Sequence, residues 1–94
     1  MTWKVTKEDL TSPGLRRYEP IQYIQNEWVY PESEKGGLYV ARIPSAVRWL
    51  RKYLKEKYNI NTRVFECEIG KKLYESKWMI ETDKVLLKKE VYIT

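Results

Sequence analysis

A group of four cations at helical spacing is the feature of this chain best suited to chemistry with a ligand. The four, which we call the basic row, are Arg48, Arg51, Lys52 and Lys55. Positions that differ by three, four and seven share one face of an α-helix. Residues 45–58 hold five basic residues and one acidic residue, so nearly all of the chain's net charge of +5 lies there. Because like charges at i, i+4 cost a helix roughly 0.2–0.5 kcal/mol per pair, the basic row predicts a polyanionic partner.

Nucleic acid is the polyanion that we expect the basic row to bind. Arginine can hold a phosphate with two parallel hydrogen bonds, and lysine contributes a point charge. An acidic protein surface is an alternative, whereas a lipid surface would need the apolar half of the helix, which the core requires. The row is equally consistent with a solvated face whose aliphatic stems cover apolar surface. Exposed Tyr or Trp beside the row would stack on bases.

A weaker pattern is the pair of carboxylates in Glu66-Cys67-Glu68. It resembles the paired acidic motif that closes the active site of ADP-ribosyltransferases, and two carboxylates on one strand face suit the orientation of a ribose. Alternating Glu is also the ordinary polar face of a strand, which is the interpretation that we favour. The chain is short for that fold and shows no nicotinamide-site motif. We expect Cys67 to be a core residue, with its neighbouring carboxylates raising the pKa of the thiol.

The residues that the chain lacks exclude many classes of enzyme. It has no histidine and one cysteine, so Ser-His and Cys-His nucleophilic catalysis and a cysteine-and-histidine zinc site are excluded. We therefore predict no catalytic residue, no metal, no cofactor and no enzymatic activity.

The length of 94 residues predicts a single domain over residues 1–94. Hydrophobic residues make up 43% of the chain, with four Trp and eight Tyr, which is enough for one modest core. No apolar run approaches the roughly 20 residues that span a bilayer, and the first residues lack the apolar stretch of a signal peptide. With one cysteine, the cytoplasm is the expected compartment. Abundant Glu and Lys resemble thermophile composition.

The pattern of elements predicts an α+β fold, a mostly antiparallel sheet of about five strands with one amphipathic helix (about 45–58) packed across a face. A strand–helix–strand crossover runs from Leu38 to Gly70, and Thr82-Asp83 is interpreted as a hairpin turn. Asn59 is expected to end the helix. The expected strands are Thr2–Thr6, Leu38–Ile43, Thr62–Gly70, Lys77–Glu81 and Lys84–Ile93. Ile21–Ile24 and Glu27–Tyr30 are short strand candidates.

For two of these elements the sequence also predicts which residues lie on each face. The apolar half of the helix comprises Trp49, Tyr53, Ala46, Leu50, Leu54, Val47 and Tyr58. In the strand Thr62–Gly70, alternation places Phe65, Cys67 and Ile69 on one face and Val64, Glu66 and Glu68 on the other.

Three stretches carry a resemblance to known proteins. They are Gly36-Gly37-Leu38-Tyr39-Val40-Ala41, then Ala46 to Leu54, then Arg63-Val64-Phe65-Glu66-Cys67-Glu68-Ile69. In their order they resemble small phage proteins, and the Lys/Glu/Tyr-rich, histidine-free composition resembles short proteins of viruses that infect hyperthermophilic archaea. The resemblance implies a small accessory viral protein in the host cytoplasm and supplies no site residues.

The leading hypothesis is therefore a small basic protein that binds nucleic acid phosphates through the basic row, without enzymatic activity and largely without sequence specificity. The alternative is a protein–protein interaction module or homodimer acting on a host factor, formed by strand edges and aromatic surface. A small transferase using Glu66 and Glu68 is the third hypothesis.

Overall fold

The computed structural model describes residues 1–13, 21–32 and 37–93, and it contains a seven-stranded sheet with one helix. The α+β class is confirmed, while the number of strands exceeds the five that the sequence predicted. The sequence also predicts a polar loop at Glu32-Ser33-Glu34-Lys35-Gly36-Gly37 and a break in regular structure at Ser12-Pro13-Gly14. Most of that loop, and Gly14, lie outside the described residues. The elements are β1 (Thr2–Lys7), β2 (Trp28–Val29), β3 (Leu38–Ala41), α1 (Pro44–Tyr58), β4 (Thr62–Ile69), β5 (Lys72–Glu75), β6 (Met79–Thr82) and β7 (Val85–Val91).

All neighbouring strands of the sheet are antiparallel, in the order β2-β7-β4-β1-β3-β6-β5. Since β1 pairs with β3 on one side and β4 on the other, β3 and β4 run parallel to each other with β1 between them. α1 connects these two strands and packs on β1, β3 and β4. The expected crossover from Leu38 to Gly70 is thus confirmed.

The C-terminal third of the chain is one long hairpin that bends in the middle. β4 pairs with β7 and β5 pairs with β6, so the turn lies at residues 76–78. There the Ser76 hydroxyl accepts hydrogen bonds from the backbone N–H groups of Trp78 and Met79. The predicted hairpin at Thr82-Asp83 is wrong, because β6 and β7 do not pair with each other.

The bend closes the sheet on itself. Gly70 N–H donates to the Lys84 carbonyl (3.0 Å), and Lys71 N–H donates to the Asp83 carboxylate (2.8 Å). Two residues between β6 and β7 bridge at most roughly 11 Å, whereas four strand spacings in a flat sheet would be about 19 Å. The sheet must therefore curl until the ends of these two strands meet.

Curling gives the sheet an inner face and an outer face, each with its own hydrophobic cluster. The inner cluster is Tyr23, Leu38, Val40, Phe65, Cys67, Ile80, Val85 and Leu87. The outer cluster, which lies under α1, is Val5, Ala41, Ala46, Val47, Leu54 and Val64. The two faces predicted for β4 are confirmed, because Phe65 and Cys67 belong to the first cluster and Val64 to the second.

The segment before β2 is less regular than the sequence predicted. Ile21–Ile24 contributes one isolated bridge, between Gln22 and Thr11, and no continuous strand. Thr6-Lys7-Glu8-Asp9, with Thr6 in an N-cap position, predicts one helical turn. The structure has instead a turn in which the backbone N–H of Leu10, with φ of 64°, donates to the Lys7 carbonyl. Among the described residues, no helix is long and apolar enough to cross a membrane.

Candidate nucleic-acid interface

The helix that carries the basic row has well-defined ends. Pro44 occupies its first turn, where a missing N–H costs nothing. At the other end Asn59 adopts the left-handed conformation, and Asn59 and Ile60 donate to the carbonyls of Lys55 and Leu54. This is the αL cap expected from the sequence. Basic residues in the last turn are also favourable for the helix dipole.

The helix is fixed to the sheet by the side opposite the basic row. Ala46, Val47 and Leu54 are buried in the outer cluster. Arg48, Lys52 and Lys55 are exposed and Arg51 is half-buried. Because the apolar side is held by packing, the row has a fixed orientation toward solvent.

Arg51 connects α1 to two other parts of the molecule. Its Nε donates to the Thr62 hydroxyl at 3.1 Å, and its Nη1 donates to the Ile93 carbonyl at 2.9 Å. The guanidinium also lies 6.0 Å from the centre of the Tyr92 ring. Arg51 thus stabilises the packing of the C-terminal residues against the helix, in addition to supplying charge.

Lys52 and Lys55 make contacts that are more exposed than those of Arg51. Lys55 Nζ donates to the Asn61 side-chain carbonyl at 2.8 Å. Lys52 Nζ lies 4.0 Å from Glu56, and the Lys52 side chain is 75% exposed. Exposed ion pairs of this kind are worth well under 1 kcal/mol, so Lys52 can exchange Glu56 for a phosphate at small cost.

Trp49 lies beside the basic row and is 65% exposed, although the sequence placed it in the apolar half of the helix facing the core. Its ring stacks on Tyr53, one turn later, with centroids 5.2 Å apart and planes 7° from parallel. Ala46, Val47 and Leu54 fill the contact with the sheet, because they lie closer to the centre of the buried face. Tyr58, which the sequence placed in the same apolar half, is also exposed, at 47%. The hydrophobic pattern identifies which half of the helix faces the sheet. It does not indicate how much of that half the sheet covers.

An aromatic cluster continues from Trp49 to the end of the helix. Tyr58 meets Tyr53 edge-to-face at 6.0 Å, and Lys57 Nζ lies 5.3 Å and 5.7 Å from the centres of these two rings. The hydrogen bond from Lys57 lowers the pKa of the Tyr53 phenol and raises the pKa of Lys57 itself.

Tyr92 lies on the opposite flank of the basic row, next to Arg51, and is 82% exposed. The row therefore has an exposed aromatic ring on each side, Trp49 on one flank and Tyr92 on the other. The sequence predicted the row but could not identify which of its aromatic residues are exposed. Tyr92, some forty positions after Arg51 in sequence, carries no local signal that would place it there.

The two carboxylates of the paired acidic motif occupy ordinary positions on β4. Glu66 is half-buried opposite Trp3 of β1, and Glu68 is exposed with its carboxylate 3.8 Å from Lys88 Nζ. The transferase hypothesis gains no support from these contacts.

Cys67 lies in the inner cluster, beside a buried lysine. Burial raises the pKa of the thiol. The neighbouring carboxylates, to which the sequence assigns this effect, lie on the other face of β4 and are not its cause. Lys4 is 7% exposed, its Nζ donating to the Tyr39 carbonyl at 2.8 Å and lying 5.2 Å from the Tyr23 ring centre. Burial lowers the pKa of Lys4 to about 8.

An open hollow of about 330 Å³ lies near the C-terminal end of α1, lined by Lys7, Glu8, Asp9, Asn59, Ile60 and Asn61. Its two carboxylates and the nearby helix C-terminus disfavour an anion there. Within residues 1–13, 21–32 and 37–93, no cluster of His, Cys, Asp and Glu is suited to a metal ion.

Comparison with protein-family models, curated proteins and solved structures finds no match to this chain.

Proposed function

We propose that this protein binds nucleic acid phosphates through the basic row of α1, as a non-enzymatic binding protein largely without sequence specificity. The observation that supports this most is the orientation of the row. Arg48, Lys52 and Lys55 are exposed on a helix whose other side is buried against the sheet. Such a helix can approach a polyanion without any rearrangement of the fold.

The dimensions of the row fit a short stretch of nucleic acid backbone. Arg48 and Lys55 are seven residues apart, which is roughly 10 Å along a helix axis. At about 3.4 Å of axial rise per nucleotide on one strand of a duplex, this length corresponds to about three steps and therefore to about four phosphates. Contacts to phosphate give affinity and orientation but do not read bases, which is why we propose binding with little sequence preference.

The test removes three charges from the row and compares the variant with one that loses three charges elsewhere. The first variant is Arg48→Gln, Lys52→Gln and Lys55→Gln, and it retains Arg51 because that side chain holds the C-terminal residues. The control is Lys77→Gln, Lys88→Gln and Lys89→Gln, which changes three exposed lysines outside the helix.

Fluorescence anisotropy with labelled DNA and RNA at low salt is the measurement. We expect the helix variant to lose at least tenfold in affinity and the control to lose much less. Equal losses in the two variants would show that only net charge matters, and would contradict a binding site on α1.

The compartment and origin that we propose are those of a small accessory viral protein acting in the host cytoplasm. The single cysteine, Cys67, is buried and unpaired, which fits a reducing compartment. Fractionation of host cells that express the tagged protein would test this, and recovery from the secreted fraction would contradict it.

A homodimer or host-protein complex is a second candidate, favoured by the edge strand β5. All four residues of β5 are exposed, and two of them, Leu73 and Tyr74, are large apolar residues, as is the exposed Trp78 in the turn that follows. An exposed strand edge is a template for pairing with another chain. Sedimentation at several concentrations tests a dimer: Leu73→Lys should shift a dimer to monomer, and a wild-type protein that stays monomeric would exclude self-association.

A further inference from the structure

We propose that the ligand of the basic row is a single strand of nucleic acid, whose bases stack on Trp49 and Tyr92 while the cations hold its phosphates. This inference rests on the proposed function and specifies the class of nucleic acid. It follows from the two exposed rings that flank the row, which phosphate binding alone does not require.

Trp49 is arranged as a stacking platform. One face of its ring is covered by Tyr53 in a nearly parallel stack, and 65% of the residue remains exposed to solvent. Contact with Tyr53 restricts the rotation of the indole, so a base that stacks on it loses little additional side-chain entropy. A base that stacks on the free face of Trp49 would be the third ring of a stack that begins with Tyr53. Aromatic side chains hold single-stranded bases by stacking of this kind.

Tyr92 offers a second ring across the row. Its ring is 82% exposed and lies next to the Arg51 guanidinium, which is itself held by hydrogen bonds to Thr62 and Ile93. The Tyr92 ring is therefore placed next to a fixed cation. A phosphate near Arg51 would bring its attached base within reach of this ring.

A duplex cannot use these rings. In double-stranded nucleic acid each base face is covered by its neighbours, so stacking on a side chain requires unstacking at a cost of a few kcal/mol per step. An unpaired strand leaves the faces of its bases available, and every base has such a face. The combination of cations and exposed rings therefore favours single strands, with little dependence on sequence.

The experiment compares Trp49 variants on a labelled 12-nucleotide oligo-dT or oligo-U and on a duplex of the same length. Trp49→Ala removes the platform, Trp49→Leu keeps apolar volume without an aromatic ring, and Trp49→Phe keeps a ring. Trp78→Ala is the matched control, because Trp78 is also exposed and lies under a lysine, Lys77, but is in the turn between β5 and β6 and not on α1.

We expect the wild type to bind the single strand more tightly than the duplex. Trp49→Ala and Trp49→Leu should weaken single-strand binding by roughly 5- to 150-fold, the range that ~1–3 kcal/mol per stacked base gives, and should leave duplex binding unchanged. Trp49→Phe should retain most of the affinity, and Trp78→Ala should retain all of it.

Two other outcomes would each overturn the inference. If single strand and duplex bind equally, or if Trp49→Ala weakens both to the same extent, the rings do not select the ligand, while dependence on the basic row would keep the proposed function intact. If neither oligonucleotide binds at low salt, the proposed function fails together with the inference.

Discussion

Lys4 is the residue whose environment differs most from the one its side chain prefers. It lies on the inner face of the curled sheet with the phenol of Tyr23 and the thiol of Cys67 nearby, and its Nζ donates to the Tyr39 carbonyl. Burial lowers its pKa from 10.5 to about 8, because the charged form loses hydration that these neighbours do not replace.

Lys4 therefore makes stability depend on pH in a defined window. Between pH 8 and 10.5 the unfolded chain holds a proton that the folded protein has lost, so this residue raises the free energy of unfolding as pH rises through the window. Below about pH 8 Lys4 is charged in the folded protein, and the full cost of burying that charge then lowers the free energy of unfolding. We expect the difference in unfolding free energy between wild type and Lys4→Met to shift in favour of the wild type by roughly 3 kcal/mol from pH 7 to pH 10.5.

Urea unfolding of both proteins across this pH range is the measurement. Burial raises the pKa values of Tyr23 and Cys67, which oppose the effect at high pH, but both groups are present in the variant and largely cancel in the difference. A difference that does not change with pH would show that Lys4 is not desolvated in solution.

Arg51 is expected to contribute to stability as well as to ligand binding. Arg51→Ala removes its hydrogen bonds to Thr62 and Ile93, and we expect a loss of about 1–2 kcal/mol in the free energy of unfolding. Lys52→Ala is the matched control, since its 4.0 Å contact with Glu56 is highly exposed and should change stability by less than about 0.5 kcal/mol. Equal effects in urea titrations would contradict the role assigned to Arg51.

The helix was predicted to within a residue at its start because local signals determine it. Pro44 and Asn59 mark its ends, and the apolar period marks its buried side. The exposure of Trp49 was not predictable, because it depends on how far the sheet extends beneath the helix. The part of the site that the sequence identified, the basic row, is local, and the part that it missed, the flanking rings, depends on tertiary packing.

Asn59 provides a test of the helix end. Its φ of 55° is left-handed, which costs most residues about 1–2 kcal/mol and glycine nothing. We expect Asn59→Ala to lower the free energy of unfolding by about 1 kcal/mol and Asn59→Gly to leave it unchanged or raise it. A thermal or urea titration in which alanine and glycine behave alike would contradict the left-handed cap.

Closure of the sheet is a property of the whole molecule that the sequence did not reveal. Short runs of alternating residues predicted β4 and β7. Which strands pair with each other depends on the topology of the whole sheet, which such local runs do not indicate. Residues near in sequence, such as Thr82 at the end of β6 and Val85 at the start of β7, belong to strands that do not pair with each other. β5, whose residues are all exposed, carries no hydrophobic alternation that would have predicted it.

Gly70 tests the bend that closes the sheet. A Cβ at this position would lie 2.2 Å from the Asp83 carboxylate oxygen and 2.5 Å from Lys84 Cγ, and that carboxylate is held by Lys71 N–H. We expect Gly70→Ala to lower the free energy of unfolding by about 1–3 kcal/mol, the usual cost of overpacking. Asp83→Asn, which keeps the accepting oxygen, should cost less than Gly70→Ala, and the reverse order would contradict this account of the bend.

The concentration of charge on one helix leads to the most direct test, the salt dependence of oligonucleotide binding. Four phosphate contacts predict a slope of log affinity against log salt near −2.8 for a single strand, at about 0.7 per contact. The variant with Arg48, Lys52 and Lys55 changed to Gln should retain only a slope of about −0.7 from Arg51. We expect the wild type to give the first value and the variant the second. A wild type that does not bind at low salt, or a slope that persists in the variant, would contradict a nucleic-acid-binding face on α1.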